Sequence, residues 1–282
     1  MFLLPWLLGF FGLTLGPAIG SLYLSFTRFD LMTDPRWIGM ANYVRIATAD
    51  PKFAESLRVT FSYVAMAVPL KLAFALGVAL LLNKGTRGLP LYRAMFYLPS
   101  LLGASVAIAV MWRELFAGDG LLNRVLAVVG IEGPAWIANP DTSIYTLVVL
   151  SVWQFGSPMI IFLAGLRQIP QDLYEAASLD GASKSRQFWR ITLPLLTPVV
   201  FFNGVVQVID AFKAFTPAFI ISDGTGGPLN STLFYTLYLY QEAFSNFRMG
   251  YASALAWVLV VIIAAFTAVS FLSARYWVHY DE

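Results

Sequence analysis

Polar side chains interrupt the apolar stretches of this sequence at positions where they could bind a solute. Asp210 and Lys213 are three residues apart, so they can meet on one face of a helix. Asn203 and Gln207 precede them on a similar face. If this stretch crosses a membrane, such residues indicate a solute path, because burying them in lipid is costly. A self-neutralising ion pair within a helical bundle explains Asp210 and Lys213 equally well.

Two neighbouring residues could add aromatic and amide groups to this path. Trp153 and Gln154 lie in the fourth apolar stretch of the chain. Planar polar groups combined with aromatic faces suit the binding of a saccharide. Trp153 also fits an interfacial anchor or a core residue, which is the more common role. Lys71, in the second apolar stretch, is a weaker candidate that fits a snorkelling or paired lysine.

The composition argues against catalysis, a bound metal and nucleic-acid binding. The chain has no cysteine and one histidine, His279, so a metal site built from several His or Cys ligands is excluded. There is no phosphate-binding Gly-x-x-x-x-Gly-Lys-Ser/Thr motif and no nucleophile–base constellation. A net charge of +2 without a basic arm gives no support to nucleic-acid binding. We therefore predict no catalytic residues and no cofactor bound by this chain.

The apolar content predicts a membrane protein. Hydrophobic residues make up 59% of the chain and charged residues 12%, about half the usual charged fraction of a soluble domain. Six stretches have the length of a membrane helix, at about 2–27, 57–83, 92–117, 144–166, 191–221 and 250–277. They are continuously apolar, so they predict helices rather than barrel strands. We interpret the first as a retained span, because it lacks a cationic start.

The predicted fold is an all-α, six-transmembrane-helix bundle, with residues 1–282 forming a single domain. An additional short amphipathic helix is predicted at the membrane interface over Leu121–Ile131. Six spans place both termini on the same side. The Lys and Arg residues do not decide which side, because eight are assigned to each side.

The connection between the fourth and fifth stretches, at about 168–190, predicts a helix–turn–helix. Pro170 ends the preceding span, and Asp172 is placed to cap a new helix. Gly181 ends that helix because glycine tolerates the left-handed conformation, and Ser183 is placed to cap the next one. Such a segment fits a docking element for a partner. An ordinary amphipathic connection is the alternative.

This connection resembles the EAA loop of bacterial ABC-importer permeases. The resemblance is carried by Glu175-Ala-Ala-Ser-Leu-Asp-Gly-Ala-Ser183, followed by Phe188 and Ile191-Thr-Leu-Pro194. The surroundings are similar to the binding-protein-dependent sugar permeases of the maltose and glycerol-phosphate type, in particular their first permease subunit. Further similar segments are Gly39–Tyr43, Tyr92–Pro99, Asp223–Thr232 and Tyr240–Ala254.

The resemblance implies a type I ABC importer permease whose EAA loop is cytosolic. Its helix, at about 170–182, would contact an ATP-binding subunit as a cytosolic coupling helix. The residues implied in this contact are Glu175, Ala176, Ala177, Leu179, Asp180, Gly181 and Ala182. The implied partners are a second homologous permease, two ATP-binding subunits that hold ATP and Mg²⁺, an extracytoplasmic solute-binding protein and membrane lipid. The implied location is a bacterial or archaeal cell membrane, with both termini cytosolic.

A glycine-rich segment on the opposite side of the membrane has two interpretations. Gly224, Gly226, Gly227 and Pro228 resemble the Thr-Gly-Gly-Pro turn of one of the two permease subunits of such importers. They could bound an outer gate or touch the binding protein. A plain turn is at least as compatible with the residues.

A self-sufficient carrier or channel is the alternative function. ATP-independent carriers often contain inverted repeats and broken helices. No internal repeat is visible in this sequence, and the EAA loop also argues against this class. The solute remains open among disaccharides, oligosaccharides, polyols and glycerol phosphate esters.

Overall fold

The computed structural model describes residues 3–85, 88–103 and 105–279. Most of these residues are helical, as predicted. The long polar connection after the first span is an exception, because it contains a short antiparallel pair of strands, β1 (Thr27–Arg28) and β2 (Arg36–Trp37). Residue 2, where the first predicted span begins, lies outside the described residues.

The helices follow one another along the chain, with connections that range from two to 15 residues. In the described ranges they are α1 (Leu4–Ser25), α2 (Ala41–Thr48), α3 (Pro51–Asn83), α4 (Leu89–Leu102), α5 (Val106–Leu115), α6 (Leu121–Val128), α7 (Pro140–Trp153), α8 (Gly156–Gln168), α9 (Gln171–Leu179), α10 (Lys184–Gln187), α11 (Leu193–Phe212), α12 (Thr216–Ile221), α13 (Tyr235–Tyr240) and α14 (Met249–Trp277). Turns of π-helix occupy Phe10–Leu15 within α1, Phe188–Thr192 before α11 and Gln241–Ser245 after α13. The chain is thus a succession of helices with few irregular segments.

Side-chain caps fix where several of these helices begin. The Asp50 carboxylate accepts a hydrogen bond from the backbone N–H of Phe53 at the start of α3. Ser105 and Asn139 cap α5 and α7 in the same way. These caps satisfy backbone N–H groups that have no partner within the first turn of a helix.

Length and apolar composition identify four helical segments that can cross a membrane: α1, α3, the run Lys184–Ile221 and α14. The number rises to six if each of two bent pairs, α4 with α5 and α7 with α8, counts as one span. The predicted stretches at about 57–83 and 250–277 fall within α3 and α14.

Three predicted spans are not continuous helices. The stretch at 92–117 bends by 95° between α4 and α5, and the stretch at 144–166 bends by 44° between α7 and α8. The stretch at 191–221 is interrupted at 213–215, where α11 ends before α12 begins. A broken helix exposes backbone polar groups, and inside a bundle these need partners from neighbouring helices. Sequence hydropathy does not reveal such partners.

The central helix of the bundle is α3, which packs against α7, α8 and α11. Ala67, Ala75 and Ala79 of α3 are fully buried. Small side chains allow helix backbones to approach closely, which favours helix association inside a membrane. Residues of α3 belong to both buried apolar clusters of the molecule, so this helix connects the two ends of the bundle.

Candidate solute path and coupling segment

A cavity of about 460 Å³, here called the central cavity, opens between α3, the two broken helices and the end of α11. Four predicted path residues line it: Gln154, Gln207, Asp210 and Lys213. Its volume lies within the range of small-molecule sites. The lining combines these polar groups with the aromatic side chains of Tyr63, Phe215 and Phe234.

The charged pair in the cavity is formed as the sequence spacing predicted. Lys213 Nζ lies 3.3 Å from Asp210 Oδ1, and both side chains are more than half exposed. Lys213 follows the last residue of α11, where the helix is interrupted. The pair is therefore accessible from the cavity, and it is also a self-neutralising pair, so both interpretations of its role remain compatible with the geometry.

The two broken helices are joined by hydrogen bonds at their breaks. Gln154 Nε2 donates to the carbonyl oxygen of Gly103 at 3.0 Å. Ser100 Oγ donates to the carbonyl oxygen of Gln154 at 2.9 Å and accepts from the N–H of Ser157 at 3.0 Å. Each break thus supplies partners for the backbone groups that the other leaves free.

The sequence prediction missed Ser100 and Ser157, which line the central cavity with Gln154. A weak signal was available, since Gly103 interrupts an apolar stretch three residues after Ser100. The tight contact between the breaks requires this glycine, because a Cβ at position 103 would meet the Gln154 side chain at 2.3 Å. Gln154 therefore contributes to the architecture of the cavity as well as to its lining.

Two other predicted path residues lie away from the cavity lining. Asn203 is 1% exposed and turns toward α8, where Nδ2 lies 3.5 Å from the carbonyl oxygen of Pro158. The Trp153 ring packs 5.9 Å from the Trp112 ring, among the apolar residues of the larger buried cluster. Trp153 therefore occupies the core role that the sequence left open. Helix periodicity placed Asn203 with Gln207, but the neighbouring α8 covers Asn203.

Lys71, the weaker candidate of the sequence analysis, does line the central cavity. It lies in α3, and its neighbours on the cavity wall include Val68 and Gln207. In the part of the chain that the structure describes, its ammonium forms neither a salt bridge nor a hydrogen bond. The structure thus places three charged side chains at one cavity, where the sequence emphasised two.

The glycine turn, residues 223–228, is closely packed. Gly226 and Gly227 have φ of +91° and +75°, and a Cβ at Gly227 would lie 2.5 Å from Thr232 Oγ1. Arg113 forms an ion pair with Asp223, and Gln241 Nε2 donates to the carbonyl oxygen of Gly224 at 2.7 Å.

A second cavity, of about 330 Å³, is bordered by Gly227 and Pro228. This cavity lies beside the turn, so the glycine turn is part of a shaped surface as well as a chain reversal. The geometry is compatible with both a gate and a plain turn.

The EAA loop forms the helix–turn–helix that the sequence predicted. Helix α9 ends before Gly181, whose φ is +75°, and Ser183 Oγ accepts from the backbone N–H of Arg186 at 3.3 Å. The prediction that Asp172 caps α9 is wrong. Pro170 occupies the capping position without a side-chain hydrogen bond, and Asp172 lies in the first turn. An acidic residue there still interacts favourably with the helix dipole.

One side of the EAA loop is anchored and the other is free. Gln187 is buried and donates to Ser178 Oγ at 2.9 Å and to the carbonyl oxygen of Ala182 at 3.2 Å. The Tyr174 hydroxyl bonds to Thr192 Oγ1 at 2.9 Å. In contrast, Leu179 is 90% exposed. The predicted coupling residues Glu175, Ala176, Asp180 and Gly181 are also exposed, whereas Ala177 and Ala182 are partly buried.

A carboxylate at the opposite end of the bundle ties three helices together. Asp50 accepts hydrogen bonds from the hydroxyls of Tyr238, at 2.5 Å, and Tyr251. Burial raises the pKa of Asp50, but these bonds, the Phe53 N–H and the nearby Arg45 outweigh it and hold the pKa below its ordinary value. Burial and the bond to Asp50 raise the pKa of the Tyr238 hydroxyl. This network joins the start of α3 to α13 and α14.

The sequence was compared with protein families and with curated proteins, and both comparisons find transport proteins. Residues 45–278 match the family described as binding-protein-dependent transport system inner membrane component. The chain is 53% identical over all its 282 residues to a probable ABC transporter permease protein, YesP, of Bacillus subtilis, and covers 91% of that protein. It is 32% identical to the lactose transport system permease protein LacF of Rhizobium radiobacter, with 92% of this chain and 88% of that protein covered.

The fold is also shared with a solved transporter. A chain in the crystal structure of a bacterial alginate ABC transporter, in complex with an alginate pentasaccharide-bound periplasmic protein, superposes with a TM-score of 0.81 at 19% identity, covering 97% of this chain and 92% of that one. The relatives are transport components rather than enzymes, and the apolar helices agree with a multi-pass membrane protein. By family match and by identity along its whole length, this chain belongs to the inner membrane components of binding-protein-dependent transport systems.

Proposed function

We propose that this chain is the permease subunit of an ATP-driven importer that carries a saccharide delivered by an external binding protein. The observation that supports this most directly is the central cavity, in which polar, charged and aromatic side chains meet between helices of membrane length. The relative named for lactose transport and the fold shared with an alginate transporter support a saccharide as the solute.

The proposed topology has six spans, with both termini and the EAA loop in the cytosol. In this arrangement α4 with α5 forms the third span, and α7 with α8 forms the fourth. The glycine turn and the strand pair then lie on the outer side, where a binding protein delivers the solute. A second homologous permease completes the path, because six spans are few for a passage around a bulky solute.

The proposed coupling element is α9 with the turn at Gly181. Its exposed face, with Leu179 and Glu175, is available to a cleft on an ATP-binding subunit. Its other face is anchored to the chain through Gln187 and Tyr174, so a displacement of α9 reaches α11 and the cavity. ATP and Mg²⁺ bind to the two ATPase subunits, since this sequence has no phosphate-binding loop.

A site-specific crosslink tests this function. The chain contains no cysteine, so Ala177→Cys introduces a single thiol on α9. We expect a bifunctional thiol reagent to join this position to an ATPase subunit in membranes from cells that express the whole complex. Asp34→Cys, in the exposed connection between β1 and β2, is the matched control and should capture no ATPase.

Transport measurements decide between the importer and the self-sufficient carrier. Saccharide uptake into vesicles should require ATP and stop when the ATPase subunits are removed. Uptake that continues without them, or a crosslink from position 177 that contains no ATPase, contradicts the proposal.

A further inference from the structure

The central cavity holds an excess of positive charge. Its charged lining residues in the described ranges are Lys71, Asp210 and Lys213. Asp210 and Lys213 form an ion pair at 3.3 Å and compensate each other. The ammonium of Lys71 remains, and among the described residues it has no carboxylate within salt-bridge distance.

The position of Lys71 makes its positive charge energetically unfavourable unless the charge is compensated or hydrated. Lys71 lies 12 residues before the end of α3, about 18 Å along the helix axis. It is therefore remote from the helix end where a lysine side chain could reach the membrane surface. A charged group at such a depth requires a counter-charge or a water-filled cavity, and it indicates a site on a solute path.

Because Asp210 is already paired with Lys213, an anionic group on the solute would supply a further counter-charge for Lys71. A neutral saccharide would displace water from Lys71 without offering a full negative charge in return, which disfavours its binding relative to a charged analogue. The hydroxyl and amide groups of Ser100, Ser157 and Gln207 remain available on the same cavity wall for sugar hydroxyls. The cavity thus offers an anion-binding point beside neutral hydrogen-bonding groups.

We propose that the solute is a saccharide that carries a negative charge, and that Lys71 binds its anionic group in the central cavity. This inference depends on the proposed function, because it assigns a solute class to the same cavity. The anionic group is a carboxylate, as in a uronic acid, or a phosphate ester, and these two sources present the same negatively charged oxygens to an ammonium.

Uptake by the complete importer tests the inference. The complex, with its ATPases, its second permease and its binding protein, is reconstituted in proteoliposomes. The probes are digalacturonic acid, the uncharged galactobiose and glucose 1-phosphate. We expect ATP-dependent uptake of a charged probe, with digalacturonic acid and glucose 1-phosphate distinguishing a carboxylate from a phosphate.

The decisive variant is Lys71→Gln. It should reduce uptake of the charged probe at least 10-fold, whereas Lys71→Arg should retain uptake because it keeps the positive charge. Recovery of the Lys71→Gln complex at the normal level, with normal ATP hydrolysis, shows that the loss does not come from misfolding. Lys84→Gln is the matched control, because Lys84 lies at the exposed end of the same helix, outside the cavity, and should change uptake less than twofold.

The failure of this inference is distinguishable from the failure of the proposed function. Uptake of galactobiose alone, or equal uptake of the charged probe by the Lys71→Gln and Lys84→Gln variants, overturns the anionic solute and leaves a saccharide importer. Absence of ATP-dependent uptake for all three probes overturns both.

Discussion

Two turns of this molecule use glycine in the same backbone conformation but in different surroundings. Gly181 in the EAA loop and Gly227 in the glycine turn both have φ of +75°. A Cβ at Gly181 would meet nothing within 4 Å, whereas a Cβ at Gly227 would meet Thr232 Oγ1 at 2.5 Å. In the glycine turn, both the backbone conformation and the close contact with Thr232 therefore require glycine at position 227. The turn of the EAA loop is specified by its backbone conformation, since among the described residues no atom lies within 4 Å of a Cβ at Gly181.

The largest effect on stability is expected for Gly227→Ala. The left-handed conformation costs a residue with a Cβ about 1–2 kcal/mol, and the contact with Thr232 adds an overpacking cost of about 1–3 kcal/mol. The thermal unfolding midpoint of the purified protein in detergent should fall clearly below that of the unsubstituted chain. Gly181→Ala, which has the same φ and no steric contact, is the control and should lose less. Equal losses in the two variants would contradict the comparison.

An intermediate effect on stability is expected for Gly181→Val. Only the backbone conformation opposes the new side chain, at a cost of about 1–2 kcal/mol, so the protein should remain folded. In the proposed importer, ATP hydrolysis should continue while saccharide uptake is lost, because the altered turn no longer transmits the displacement of α9. Uptake assays and ATPase assays on the same preparation measure this uncoupling.

The control for this uncoupling is Gly39→Val. Gly39 also has a positive φ, of +59°, and its Cβ would meet nothing within 4 Å. It lies on the opposite side of the membrane in the proposed topology. Solute-stimulated uptake at the normal level in the Gly181→Val variant would refute the lever role of α9.

A smaller, pH-dependent effect is expected for Asp50→Asn at the same end of the molecule as the glycine turn. The hydrogen bonds from Tyr238 and Tyr251 lower the pKa of Asp50 below 3.8, its ordinary value. A lowered pKa in the folded state stabilises the protein above pH 3.8, and this contribution is lost as the pH falls below 3.8.

The substitution should therefore lower the unfolding midpoint at pH 7 and flatten its dependence on pH below about 4. Unfolding curves recorded across this pH range, with the unsubstituted chain as the reference, provide the measurement. An unchanged acid dependence in the Asn variant would show that Asp50 does not hold these helices together.

The smallest effect on stability is expected for Leu179→Ser. Because Leu179 is 90% exposed, the free energy of unfolding should change by less than about 0.5 kcal/mol. The ATPase subunits should nevertheless co-purify less well, since an exposed apolar contact of the proposed interface is removed. Val128→Ser is the matched control, because Val128 is 86% exposed on α6. Equal co-purification in both variants would place Leu179 outside the interface.

The EAA loop shows how far local sequence signals reach. Gly181 and Ser183 were predicted correctly, because a left-handed glycine and a capping serine act within one turn of the chain. The Asp172 cap was predicted wrongly, since the capping position is two residues earlier, at Pro170. Gln187 was not predicted at all, because its partners Ser178 and Ala182 become visible only when the two helices have folded back on each other.

The placement of the residues predicted to line a solute path depends more strongly on tertiary structure. The spacing of Asp210 and Lys213 correctly predicted that their side chains meet, because three residues nearly complete one turn of a helix. The same periodicity could not show that α8 covers Asn203, or that Lys71 of α3 faces the same cavity as Asp210. These facts depend on which helices are neighbours, and the sequence of one helix carries no information about its neighbours.

The sequence by itself determined the membrane class, the positions of the long helices and the EAA loop, because hydropathy, helix periodicity and capping act over short distances along the chain. The tertiary structure decided where the third and fourth spans break. The backbone groups freed at one break are satisfied by Ser100 and Gln154 across the other. Because these bonds join two separate stretches of the chain, the hydropathy of either stretch alone predicts a straight helix.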